Sequence, residues 1–213
     1  MNMKKLLFTA VVMMVTLTAS AQHATGSFAL KPTIGLNLSN FSGSELSTSM
    51  RAGLAVGVEA EYQTTPFLGI SAGFLYSMQG AKLNVNPWGV KLGKVAAKVD
   101  YLNFPILANV YVTQGLALKA GLQIGVNMSS DIDIETSFLK DNIKVADVTD
   151  QTSSIDFSIP VGVSYEYQNF VIDARYNIGL SDVYKKDNTI TTLALKGIKN
   201  SNIMITLGYK FDL

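Results

Sequence analysis

The residues that could do chemistry in this chain are charged, of both signs, and placed at alternating positions among small and polar neighbours. They are Lys31, Glu59, Glu61, Lys119, Asp156, Glu166, Asp173, Arg175, Lys210 and Asp212. Residues two apart on an extended chain project from one face, so Asp173 and Arg175 share a face, as do Glu59 and Glu61. Charges gathered in a narrow space must pair, because an unpaired buried charge is expensive. The chemistry on offer is therefore ion pairing. Glu59, Glu61, Asp156, Glu166, Asp173, Arg175 and Lys119 are expected to form one charge network, with Arg175 bound to Asp173 and to one of Glu59, Glu61 or Asp156. Loss of Arg175 would then leave carboxylates unpaired.

Other chemistries lack their parts. Acid–base and nucleophilic catalysis most often rely on a histidine beside a nucleophile, and the single histidine, His23, lies outside every strand pattern. No phosphate-cradling loop, metal-ligand cluster or nucleophile motif occurs, so neither an enzyme nor a cofactor nor a metal is expected. The acidic run Asp131, Asp133, Glu135 alternates with Ile132 and Ile134. It reads as a strand continuing in the same phase above a membrane, since a calcium loop needs more oxygen ligands and turn glycines. Trp88, in Asn-Pro-Trp-Gly, reads as a loop anchor or interface aromatic.

The elements that must position these charges follow from a period of two. From Leu116 to Met128 every even position is apolar and every odd one is small or polar, and Tyr101 to Val112 keeps the same even-apolar phase. A soluble strand runs about 5–6 residues, whereas a tilted membrane-spanning strand needs about 9–11. The two segments, joined by Thr113–Gly115, predict a membrane hairpin. Similar alternation marks Phe28–Ser39, Gly53–Tyr62, Phe67–Met78, Ile155–Tyr167, Phe170–Ser181 and Ile203–Leu213. The fold expected is all-β: an eight-stranded antiparallel up-and-down transmembrane β-barrel. Short connections (Gln63–Pro66, Thr113–Gly115, Gln168–Asn169) alternate with long polar ones, as in outer-membrane barrels. Counting back from Gln168–Asn169 sets Tyr167 opposite Phe170, Asp173 opposite Ser164 and Arg175 opposite Gly162.

The termini and the bulk numbers point the same way. Lys4 and Lys5, an apolar run from Leu6 to Leu17 and Ala19-Ser20-Ala21 form a secretory signal with cleavage near Gln22. Residues 1–21 are thus expected to be a signal peptide and 22–213 the barrel domain. Removing Lys4 and Lys5 from the 17 basic residues leaves 15 against 16 acidic ones, which excludes an electrostatic case for nucleic acid. Cysteine is absent, so no disulfide holds the chain. Past the signal no apolar stretch approaches the roughly 20 residues of a membrane helix, which leaves a closed barrel as the spanning structure.

Aromatics cluster at the short-turn ends, at Phe28, Tyr62, Phe67, Tyr111, Tyr165, Tyr167, Phe170, Tyr209 and Phe211, as an inner-interface girdle. Pro32, Pro105 and Pro160 each remove a ladder donor and are expected at bulges or bends. The charged phase is also rich in glycine, which leaves room for long side chains from neighbouring strands.

The segments Tyr101-Leu102-Asn103-Phe104-Pro105, Asp173-Ala174-Arg175-Tyr176-Asn177-Ile178-Gly179-Leu180 and Gly208-Tyr209-Lys210-Phe211 resemble the small, porin-like outer-membrane β-barrel proteins common in Bacteroidetes-type bacteria. The resemblance covers the mature chain and implies fold and location in the cell outer membrane, but hardly any activity. Family members often carry a carboxylate where Asn103 stands and a basic residue where Asn109 stands, which implies an amide pair in place of an ion pair here.

The expected function is a non-enzymatic structural or surface-interaction role with a largely plugged polar lumen. Its expected partners are outer-membrane lipid and, through the C-terminal strand, the barrel-assembly machinery. The alternatives are a narrow porin-like channel for small solutes and a soluble, lipocalin-like binder with the apolar phase inward.

Overall fold

Strict alternation gives every strand one face that avoids water and one that avoids lipid, and only a closed sheet satisfies both along its whole length. The computed structural model describes residues 24–42, 48–85, 93–135, 143–147, 153–183 and 198–213. The expected export signal, with Gln22 and His23, and Trp88 lie outside them. The strands are β1 (Phe28–Ser42), β2 (Thr48–Thr65), β3 (Leu68–Val85), β4 (Gly93–Thr113), β5 (Leu116–Glu135), β6 (Ile143–Asp147), β7 (Ile155–Tyr167), β8 (Phe170–Asp182), β9 (Lys199–Tyr209) and β10 (Phe211–Asp212). Each wall strand pairs antiparallel with the next, and β1 closes the sheet against β9 and β10. β10 continues β9 past Lys210, and β6 pairs with the outer end of β5 beside the main path, so the wall is an eight-stranded barrel.

The apolar phase faces outward: Leu36 is 61% exposed and Leu122 66%. That facing removes the lipocalin-like alternative, which needs an apolar interior. The strands are longer than their alternation suggested. β3, β4 and β5 run 18, 21 and 20 residues, or about 60–70 Å along the strand at about 3.3 Å per residue. Even tilted, they stand well above a hydrocarbon core of about 30 Å.

Three sequence expectations change in the folded barrel. The prolines are not at bulges. Pro32 lies between the rungs Leu30↔Phe211 and Thr33↔Gly208, Pro105 between Ala72↔Ile106 and Leu75↔Asn103, and Pro160 between Ala120↔Val161 and Gln123↔Ser158. Each is a gap in one ladder with the register unchanged, because a missing N–H deletes a bond without inserting a residue. A register shift does occur at Asp100/Tyr101, whose β5 partners are Ser129 and Asn127. Beyond that bulge the inward phase of β5 switches: Ser130 is buried and Asp131 stands opposite Lys98. The acidic run does continue the strand, but Asp131 no longer shares the phase of Lys119; the side chains of Asp133 and Glu135 lie outside the described residues. Finally, Tyr111 leaves the girdle. It keeps the inward phase of β4 and donates its hydroxyl to Glu61, whereas Phe28, Tyr62, Phe67, Tyr165, Tyr167, Phe170, Tyr209 and Phe211 are exposed on the outer surface. Phe170, Tyr209 and Phe211 pack ring against ring, with centroids 5.2 and 4.7 Å apart.

Candidate functional site

The inward residues stack in layers along the barrel axis. At the centre, Arg175 and Asp173 sit two apart on β8. Arg175 donates through Nε to Asp173 Oδ1 at 2.6 Å and through Nη2 to Asp173 Oδ2 at 2.9 Å. The same guanidinium grips Glu59 of β2, with Nη2 2.8 Å from Oε2 and Nη1 on Oε1. Lys31 of β1 lies 2.7 Å from Glu59 and 3.9 Å from Asp173. Lys119 of β5 lies 2.5 Å from Asp173 and 4.0 Å from Glu59. Three cations thus share two carboxylates, all of them buried. In the strand order β1 and β5 are diametrically opposite, so Lys31 and Lys119 reach one pair of carboxylates from opposite walls.

Glycines make this crowding feasible. A Cβ on Gly162, the rung partner of Arg175, would stand 3.0 Å from Arg175 Cγ and 2.4 Å from the Ala174 carbonyl oxygen. One on Gly73 would stand 2.8 Å from Glu59 Cγ.

Nearer the short turns, Lys210 lies 3.0 Å from Glu61 and 3.2 Å from Glu166, and its ammonium is 5.6 Å from the Tyr111 ring centroid. Asn109 donates to Glu61 at 2.7 Å and to Ser71 at 3.1 Å. Toward the outer end an amide layer takes over. Asn177 donates to Asn202 at 2.6 Å, Asn202 to Gln79 at 3.0 Å, Asn37 to Ser77 at 2.9 Å, and Asn200 also donates to Gln79. Above it Phe41, Ala81, Ala97, Val99, Tyr101, Val183 and Ile198 form a buried apolar cluster.

Of the residues expected to form one network, Glu59, Lys119, Asp173 and Arg175 meet at the centre, and Lys31 joins them. Glu61 and Glu166 form a second group on Lys210. Asp156 joins neither: it accepts from the Ser181 hydroxyl at 2.8 Å. Six residues separate it along β7 from Gly162, the rung opposite Arg175, about 20 Å of strand, beyond the reach of a guanidinium. Asp212, expected in the lumen, is exposed at the rim, opposite Ala29. Arg175 is also not the sole partner of its carboxylates, since each keeps a lysine without it. Asn103 and Asn109 do not pair, for they lie six residues apart on one strand. Asn200 and Asn202 of the amide layer precede Ile203–Leu213, where the alternation marks a strand, although they hold the inward phase of Met204 and Thr206.

A model of the outer membrane protein beta-barrel domain family matches residues 20–185. Among solved structures, the chain is similar to Ail, the attachment invasion locus protein of Yersinia pestis, at 14% identity over 88% of this chain and 100% of that one, with a TM-score of 0.49. It is similar to Neisserial surface protein A at 14% identity, covering 86% of this chain and 97% of that one, TM-score 0.46. Similarity to OprG from Pseudomonas aeruginosa is at 14% identity, covering 90% and 98%, TM-score 0.44. A comparison with curated proteins finds no match.

Proposed function

The chain belongs to the outer membrane protein beta-barrel domain family and resides in the outer membrane, and from that premise we propose that it is a non-enzymatic structural and surface-interaction protein whose lumen is closed by its own side chains. The observation that carries this reading is the central ion cluster. Lys31 and Lys119 come from opposite walls and converge on Glu59 and Asp173, with Arg175 between them. An eight-stranded barrel has an interior about wide enough for side chains to fill, and a bridge across its diameter leaves little room for a file of water. The amide layer and the apolar cluster above it support the same reading.

With the interior occupied, interaction falls to the strand ends that rise above the membrane, where β3, β4, β5 and β6 extend one sheet outward. At the other end the C-terminal strand, carrying exposed Tyr209, Phe211 and Leu213, would engage the barrel-assembly machinery during insertion.

Planar-bilayer recording of the refolded chain tests the reading. The wild type is expected to give no discrete conductance steps, and Glu59→Gln, which breaks the central bridge, is expected to give small ones. Discrete, ion-selective steps in the wild type would overturn the closed lumen in favour of a narrow porin-like channel.

A further inference from the structure

Asp156 is set apart from every other buried carboxylate of the described lumen. Glu59, Glu61 and Asp173 each have an ammonium or guanidinium within 4.0 Å, as does half-buried Glu166. Asp156 is only 6% exposed, and its one partner among the described residues is the hydroxyl of Ser181, which in turn accepts from the backbone N–H of Phe157 at 2.7 Å. No donor of the described chain satisfies its second carboxylate oxygen.

A further acceptor turns toward the same place. Asn103 of β4 is 4% exposed and makes no side-chain hydrogen bond among the described residues. Its Oδ1 lies 2.7 Å from the point where a Cβ on Gly125 would stand, and Asp156 Cβ lies 3.5 Å from that point on the other side. Gly125 is the rung partner of both residues, so the missing side chain leaves a niche between them, roofed by Tyr101, whose Cδ1 is 3.3 Å from the same point. One inward position down β5, buried Gln123 donates its amide nitrogen to Ser158 at 3.1 Å.

An amide oxygen and the stem of a formally charged carboxylate thus flank this niche. We propose that this niche, beneath the apolar cluster, binds a hard monovalent cation, sodium or potassium, through Asp156 and Asn103 Oδ1, with water completing the shell. A single carboxylate sets the charge at one, since calcium sites draw six to eight oxygens and usually several carboxylates. A buried carboxylate with no partner would be costly, and the bound ion supplies the counter-charge that the ion clusters lower in the barrel provide for themselves. The inference goes beyond the closed-lumen reading and does not depend on it.

The test is urea unfolding of the refolded chain in zwitterionic lipid vesicles, in sodium, potassium or choline chloride at one ionic strength and neutral pH. The wild-type midpoint is expected to rise saturably with sodium or potassium over choline. Asn103→Leu is expected to raise the half-saturating concentration at least tenfold. Asp156→Asn, neutral at the site, is expected to fold and to ignore the cation. Should Asp156→Asn fail to fold, Gln123→Lys takes its place: it sets an ammonium beside Asp156 and is expected to be equally stable in all three salts. A wild-type midpoint identical in the three salts overturns the proposal, and a midpoint that follows pH but not the cation identifies a proton as the counter-charge and overturns it as well. A cation response that survives both Asp156→Asn and Gln123→Lys would place the ion elsewhere.

Discussion

Glu59→Gln and Arg175→Met remove the same contact from opposite sides, yet the structure makes their costs unequal. At the centre of the barrel three cations surround two carboxylates. Without Arg175, Lys31 still sits 2.7 Å from Glu59 and Lys119 2.5 Å from Asp173, so two complete pairs remain. The loss is then a set of charge-assisted hydrogen bonds, largely offset by the relief of crowded like charges and by an apolar side chain filling the space, and about 1–2 kcal/mol is expected. Without the Glu59 charge, three cations face Asp173 alone in a poorly hydrated interior. That is the uncompensated case, for which about 3–5 kcal/mol is the measured scale. A difference of about 2 kcal/mol is roughly a thirtyfold change in the folding equilibrium constant. Urea unfolding from lipid vesicles, followed by circular dichroism, measures both variants against the wild type. The double variant sharpens the test: it leaves two lysines on one aspartate, and it should be more stable than Glu59→Gln alone, a coupling that independent sites do not show. Equal costs, or a costlier Arg175→Met, would refute the charge-count reasoning.

Three further expectations rest on separate parts of the barrel. Leu122→Arg places a charge on the lipid face near mid-strand and should cost about 2–4 kcal/mol in vesicle unfolding. Gln123→Arg, on the inner face two rungs below the Gly125–Asp156 pair, should cost less because Asp156 can receive it; equal costs would contradict the facing of β5. Gly162→Val would press a side chain onto Arg175 and the Ala174 carbonyl and should cost about 1–3 kcal/mol by overpacking, whereas Leu36→Val, at an exposed wall position, should be near neutral. Intact mass of the protein from outer-membrane fractions should correspond to a chain beginning at or within a residue or two of Gln22; a mass that includes Met1 would contradict the export signal.

Local pattern was enough for everything that depends on alternation. Leu122 outward and Gln123 inward, Arg175 opposite Gly162, and Asp173 opposite Ser164 all follow from a period of two and a two-residue turn, because a strand has only two faces and a hairpin only one register per turn. The choice of barrel over soluble sheet followed too, since uninterrupted apolar faces of that length suit only lipid. What alternation cannot convey is height and angle around the axis. That Lys31 and Lys119 meet on the same carboxylates, that Glu61 turns down to Lys210, and that no lysine or arginine of the described residues pairs with Asp156 all depend on how far each strand is sheared against its neighbours around the closed barrel. Nor does a strand pattern report where its phase breaks. The bulge opposite Asp100 and Tyr101 reverses the inward side of β5 beyond Asn127 without any change in the rhythm of the residues, because Met128 is the extra residue of β5, left without a rung partner on β4, and apolar residues recur at even positions on both sides of it. Faces and neighbours are properties of a segment and its turn; partners across the lumen are properties of closure, and they exist only once β1 has met β9.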